Sequence, residues 1–111
     1  MIWRLVSKNN RVLGKSPVYF ENVAAAAAAA SVVRDRVSVG SVDVALDGAL
    51  EWRWSVTDVG GRTLAVAARG YERRADCRQA AQRFIAGAVR ADIDVTLGRR
   101  GRFWRSDAGQ S

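Results

Sequence analysis

From Glu51 to Val56 the chain reads Glu-Trp-Arg-Trp-Ser-Val, bulky apolar residues alternating with polar ones. That is the period-two pattern of a strand with one buried face. Trp52, Trp54 and Val56 share the inward parity. An Asp47-Gly48 turn precedes this strand and a Gly60-Gly61 turn follows it. Before the first turn, Val42, Val44 and Leu46 alternate with Asp43, Ala45 and Asp47; after the second, Arg62 to Ala67 returns with Leu64 and Val66 inward. The N-terminal stretch repeats the theme. Trp3 to Ser7 and Arg11 to Lys15 read as strands around an Asn9-Asn10 turn, with Trp3, Leu5 and Leu13 on one face. Pro17 ends that pairing because it has no N–H to donate.

Two helices are expected. The first starts near a Glu21 or Asn22 cap and runs through seven consecutive alanines, Ala24 to Ala30. Alanine has the best intrinsic helix propensity, and a helix so thin can lie close to a sheet. The second runs from about Arg73 to Arg90, with Cys77, Ala80, Ala81, Phe84 and Ala88 on one face. Ile93, Val95 and Leu97 then alternate as a strand, Gly98 to Gly101 turns, Phe103-Trp104 begins another strand, and 106–111 reads as a frayed tail.

A shift of 51 residues superposes the two halves. Trp3 falls on Trp54, Leu5 on Val56, Asn9-Asn10 on Gly60-Gly61, Arg11 on Arg62, Leu13 on Leu64 and Val42-Asp43-Val44 on Ile93-Asp94-Val95. Tyr19 reaches Tyr71 only with a shift of 52, which implies one inserted residue. The order strand, turn, strand, Tyr, helix, strand recurs, so the chain reads as a tandem duplication whose short units bury a core against each other. The frame begins inside one unit and ends with the start of a third, Phe103-Trp104-Arg105. The expected fold is α+β within one domain, 1–105. Two pseudo-symmetric repeats, about 2–41 and 42–92, each set a three-stranded antiparallel sheet on one helix. The C-terminal hairpin, 93–105, folds back to complete the first repeat.

These residues resemble the YegP-like family of small tandem-repeat proteins. The resemblance rests on Glu51-Trp52-Arg53-Trp54, the Gly60-Gly61-Arg62 turn, and Tyr71 with Arg74-Ala75-Asp76 opening a helix. It covers about Val42 to Ala88 well and Trp3 to about Val33 more weakly. The family's usual Asn-Gly hairpin is Asn9-Asn10 in one copy and Gly60-Gly61 in the other, and the first strand of the first copy is absent. The resemblance implies a repeated strand-strand-strand-helix unit. It implies no catalytic residues.

Composition narrows the chemistry. The 111 residues include one cysteine, Cys77, and no histidine, so an intramolecular disulfide and a Cys/His zinc site are excluded. Cys77 sits on the apolar helix face and reads as a small buried hydrophobe. Asp43, Asp47, Asp92 and Asp94 would have to converge to hold a hard metal; Asp94 matches Asp43 in the duplication, so a shared structural or solvent-facing role is simpler than acid–base work. No phosphate loop or nucleophile elbow is present. The expectation is a non-enzymatic protein with no cofactor, metal or small-molecule substrate. Residues 1–8 form neither a signal peptide nor a membrane span, and a cytoplasmic location is the default.

The net charge of +7 is uneven. Residues 1–51 hold six basic and five acidic side chains; residues 52–111 hold twelve basic, all arginine, and six acidic. An arginine-rich half suits nucleic acid or another polyanion. Trp104 lies among Arg99, Arg100, Arg102 and Arg105, pairing guanidinium groups for phosphate with a flat ring for a base. Arg74 and Arg78 offer a second basic surface on the second helix, beside Arg73 and Arg83. The open sheet face of the second half is expected to show Arg53, Ser55, Thr57, Thr63 and Ala65. In the first half the outward parity is Ile2, Arg4, Val6 and Val12, apolar enough to mark a homodimer surface if it is not covered by the C-terminal hairpin. A polyanion-binding module is therefore the leading expectation, and a homodimeric interaction module without a nucleic-acid role is the alternative.

Overall fold

The computed structural model describes residues 1–94 and 102–105, with side chains described through residue 91. In chain order the elements are β1 (Trp3–Val6), β2 (Val12–Lys15), α1 (Val23–Arg36), β3 (Ser41–Leu46), β4 (Trp52–Thr57), β5 (Thr63–Val66), α2 (Arg74–Ala88), β6 (Asp92–Asp94) and β7 (Arg102–Arg105). A single 3-10 turn, Val37–Val39, joins α1 to β3.

Three tight hairpin loops set the strands. In Ser7–Arg11, Asp47–Glu51 and Asp58–Arg62 the first N–H donates to the fifth carbonyl, at 2.9, 2.8 and 2.8 Å. The fourth N–H donates back to the first carbonyl, at 2.9, 3.1 and 3.0 Å. The fourth residue is left-handed in each: Asn10 (φ 62°), Leu50 (φ 62°) and Gly61 (φ 85°). Such a loop needs an oxygen-bearing residue at its first position to catch inward-facing amides. Asp58 Oδ1 accepts from the Gly60 and Arg62 N–H groups, both at 2.9 Å. Asp47 Oδ1 accepts from Ala49 and Glu51, at 2.8 and 3.0 Å. Ser7 Oγ accepts from Arg11, at 3.3 Å. The Asp47-Gly48 turn is thus wider than a two-residue turn, and Leu50 rather than Gly48 takes the left-handed backbone.

The expected pair of three-stranded sheets is not what forms. There is one sheet, in the order β3-β4-β5-β2-β1-β7-β6. Its first five strands are all antiparallel neighbours. The hairpins β1–β2 and β4–β5 join edge to edge through Lys15 and Val66. The reason is the exposed edge: a two-stranded hairpin is marginal alone, and joining two hairpins removes two edges while both helices share one apolar face. The C-terminal hairpin lies beside β1, but β7, not β6, is innermost, and β7 pairs with β1 in parallel from Trp3–Arg102 to Val6–Arg105. Only an inner β6 would have met β1 antiparallel.

Corresponding backbone hydrogen bonds recur 51 residues apart, and they remove the inserted residue. Met1 and Phe20 exchange N–H···O bonds at 2.6 and 3.0 Å; Trp52 and Tyr71 do so at 2.7 and 2.8 Å. Phe20, not Tyr19, therefore corresponds to Tyr71, and Tyr19 is 80% exposed. Identical side chains misled the alignment by one residue.

The β1–β2 and β4–β5 hairpins also carry a bulge at the same point, between Leu5 and Val6 and between Val56 and Thr57. The bulge shifts parity. Gly14 comes opposite Leu5 and Ala65 opposite Val56, so Ala65 faces the core rather than the open sheet face, and Val66 pairs with Ser55 and Lys15.

The core lies between the sheet and both helices. Asn22 caps α1, its Oδ1 accepting the Ala25 N–H at 2.8 Å, and Ala26, Ala30 and Val33 are buried. On α2, Cys77, Ala81, Phe84 and Ala88 are fully buried. The Phe84 ring lies 5.0 Å from the Trp54 ring and 6.3 Å from the Trp3 ring. Gly14 makes this possible: a Cβ there would stand 2.5 Å from Phe84 Cδ1 and 2.8 Å from Trp54 Cη2. Burying a ring of this size stabilises by about 1.5–3 kcal/mol.

Candidate functional site

Because β2 and β5 meet at one residue pair, the chains separate on either side of it and leave two clefts. One lies between α2, β2 and the segment before Tyr71. The other lies between α1, β5 and the segment before Phe20. Their walls correspond at a spacing of 51: Leu13 with Leu64, Phe20 with Tyr71, and Ala29 with Ala80.

Their chemistry differs. The α1 cleft, about 370 Å³, is walled by Pro17, Val18, Val32 and Val33, with Arg62 the one charged lining residue among the described residues. The α2 cleft, about 660 Å³, is lined by Arg4, Arg11, Lys15, Arg69 and Arg83, and no carboxylate among the described residues lines it. Arg69 takes the place that Val18 has in the other cleft, and Arg83 the place of Val32. Arg69 Nε donates to the Gly70 carbonyl at 3.2 Å, and its guanidinium lies 4.6 Å from the Tyr71 ring centroid, which fixes it at the rim. Among the described residues, no ion pair engages Arg11, Lys15 or Arg83. Five cationic residues and, among the described residues, no carboxylate line this cleft, a composition suited to a multiply charged anion.

The anticipated binding residues fall elsewhere. Arg99 and Arg100 lie outside the described residues. Arg102, Trp104 and Arg105 belong to β7, whose backbone pairs with β1 and β6; their side chains are also outside the described set. Arg74 and Arg78 are exposed on α2, and the Arg74 guanidinium lies 5.9 Å from the Trp52 ring centroid. Of the residues expected at a dimer surface, Val6 is buried, while Ile2, Arg4 and Val12 line the cationic cleft. Four separate segments supply the five cations, which is why no run or motif revealed them. The spacing of 51 held a usable signal: Val18 and Val32 match Arg69 and Arg83.

Trp3 and Trp54 are buried, and the described faces of Trp52 and Tyr71 are approached by the chain's own arginines, so these rings are poor platforms for a nucleobase. On the open sheet face Arg53 is neutralised by Asp47 at 2.8 Å. Burial raises the Cys77 thiol pKa, which disfavours the reactive thiolate. Among the described residues, no three acidic, Cys or His side chains gather to hold a metal ion, and no helix is long and apolar enough to cross a membrane.

No protein-family model, curated protein or solved structure matches the chain.

Proposed function

We propose that this chain is a non-enzymatic, cytoplasmic binding module, an internally duplicated relative of the YegP-like proteins, that holds nucleic acid or another polyanion in the α2 cleft. The observation that carries this reading is that Arg4, Arg11, Lys15, Arg69 and Arg83 line one cleft and, among the described residues, no carboxylate does. The cations come from both halves of the chain, not only from its arginine-rich second half. With Trp3 and Trp54 buried and Trp52 and Tyr71 approached by arginine, recognition runs through phosphate rather than base, and sequence preference is weak.

Titration of random-sequence duplex DNA, single-stranded DNA and RNA, at low and near-physiological salt, tests this. Binding weakens steeply with salt, and the slope counts the phosphates contacted. Arg11→Glu combined with Arg83→Glu lowers affinity for every sequence alike and flattens the slope by about two. Arg99, Arg100, Arg102 and Arg105 changed together to Ala measures the C-terminal hairpin separately. Absence of binding at low salt, or binding indifferent to the cleft substitutions, overturns the assignment.

A further inference from the structure

The free edge of the sheet carries a separate inference. β3 is the first strand in the sheet order and, among the described residues, pairs only with β4. Its register runs unbroken from Ser41–Thr57 to Leu46–Trp52, whereas both other hairpins of the antiparallel sheet are bulged. Edge strands are normally protected by charged side chains, lysine above all, by proline, a bulge or short length. β3 has six residues, Ser-Val-Asp-Val-Ala-Leu, with one charge, Asp43, and no lysine, proline or bulge.

The direction of its unpaired groups follows from β4. Trp52 and Trp54 bond toward Tyr71 and Ala67, away from β3. Arg53, Ser55 and Thr57 consequently bond toward Ala45, Asp43 and Ser41, their partners in the ladder. The N–H and C=O groups of Val42, Val44 and Leu46 are left pointing outward. The same three residues turn their side chains to the helix-covered face, yet Leu46 is still 51% exposed. An edge of this kind is short of both hydrogen-bond partners and apolar cover.

We infer that β3 pairs antiparallel with β3 of a second copy of this chain, about a two-fold axis through Val44, to form one continuous sheet. A two-fold axis perpendicular to a sheet keeps each face on its own side, so paired residue numbers must have the same parity. Centring on Asp43 sets carboxylate against carboxylate, and centring on Ala45 sets Asp43 against Asp47. Centring on Val44 sets Asp43 against Ala45 and Val42 against Leu46, and it engages every outward N–H and C=O of the strand. Six residues per copy make a small interface, so association belongs to the weak class seen at micromolar to millimolar concentration.

Sedimentation equilibrium over that range, without nucleic acid, reads the proposal. The mass rises from monomer toward dimer with concentration. Ala45→Lys places a cation opposite Asp43 of the second copy twice over and tightens the dimer severalfold; Ala45→Asp opposes like charges and weakens it severalfold. Both substitutions are at an exposed position and leave the fold intact. Val44→Pro removes an outward N–H, which an edge strand tolerates, together with a half-buried side chain, and abolishes dimerisation while circular dichroism stays native. A monomer at every concentration overturns the inference. So does a dimer unaffected by Val44→Pro, or an Ala45→Lys variant that dimerises no more tightly than the parent. Polyanion binding plays no part in these measurements, so they stand or fall independently of the cationic cleft.

Discussion

The two clefts are built on corresponding backbone and differ in what covers it. Beside α1 the walls are proline and valine; beside α2 the positions of Val18 and Val32 bear Arg69 and Arg83, joined by Arg4, Arg11 and Lys15. Hydrogen bonds that shape the two halves recur 51 residues apart within a few tenths of an ångström. Backbone geometry in this molecule is thus set by turn chemistry and strand pairing, which tolerate wide change in outward side chains. Charge can differ on matching backbone, and in this chain one half bears a candidate binding surface while the corresponding surface of the other is apolar.

The largest effect should come from making the halves alike where they must differ. Gly14 corresponds to Ala65, which carries a Cβ and is fully buried. Gly14→Ala drives a methyl against Phe84 and Trp54 and should cost about 1–3 kcal/mol in urea unfolding. Combining it with Phe84→Leu should cost less than the sum of the two single changes, because the leucine vacates the space the methyl needs.

Exchanging the clefts' charges comes next. Arg69→Val with Arg83→Val should weaken polyanion binding about tenfold at low salt, and Val18→Arg with Val32→Arg should create binding at the other cleft when added to that variant. Fluorescence titration reads both. If the second exchange restores nothing, the frame matters less than Arg4 and Lys15, which the α1 cleft lacks.

Among the hairpin loops, Asn10 and Gly61 suit the left-handed position and Leu50 does not, since a Cβ disfavours positive φ. Leu50 is also 78% exposed, so Leu50→Asn should raise stability by about 0.5–1 kcal/mol, read as a higher urea midpoint.

The smallest effect is electrostatic. The Glu51 and Arg62 amides, more than any nearby charge, hold the Asp47 and Asp58 carboxyls below their ordinary value of 3.8. Both pKa values are depressed in the folded chain, so below 3.8 the unfolded chain binds more protons. Their contribution is complete above that pH and disappears as the pH falls through the folded values. Asp47→Asn with Asp58→Asn should flatten the acid limb of the stability curve. Ser7, at the same loop position in the first hairpin, has no charge to lose.

How far the sequence could be read varied from element to element. The strand from Trp52 and the helix around Phe84 were legible because alternation and helical spacing are local properties of side chains. The alanine run was legible from propensity and the Asn22 cap. Gly14 was not: its role depends on Phe84, seventy positions away. The bulges were equally hidden, because one unpaired residue reverses the parity of everything after it, which is why Ala65 is inside and Val66 shares the open face with Lys15. The cationic cleft was hidden for a further reason. Charge counts located the arginine-rich half, but a site is a convergence of segments, and Arg4, Arg11 and Lys15 come from the half that is nearly neutral.

By itself the sequence determined the two-helix α+β composition, the internal spacing of 51, the absence of disulfide and histidine chemistry, and a basic surface somewhere on the molecule. Tertiary structure alone decided that the two hairpins share one sheet, that β7 lies parallel to β1, that β3 is left as an edge, and that five cations meet in one cleft. The physical reason is range. Turn and helix preferences act over a few residues and are written in each segment, whereas strand order and side-chain convergence are settled by which edges and apolar faces find each other when the whole chain closes.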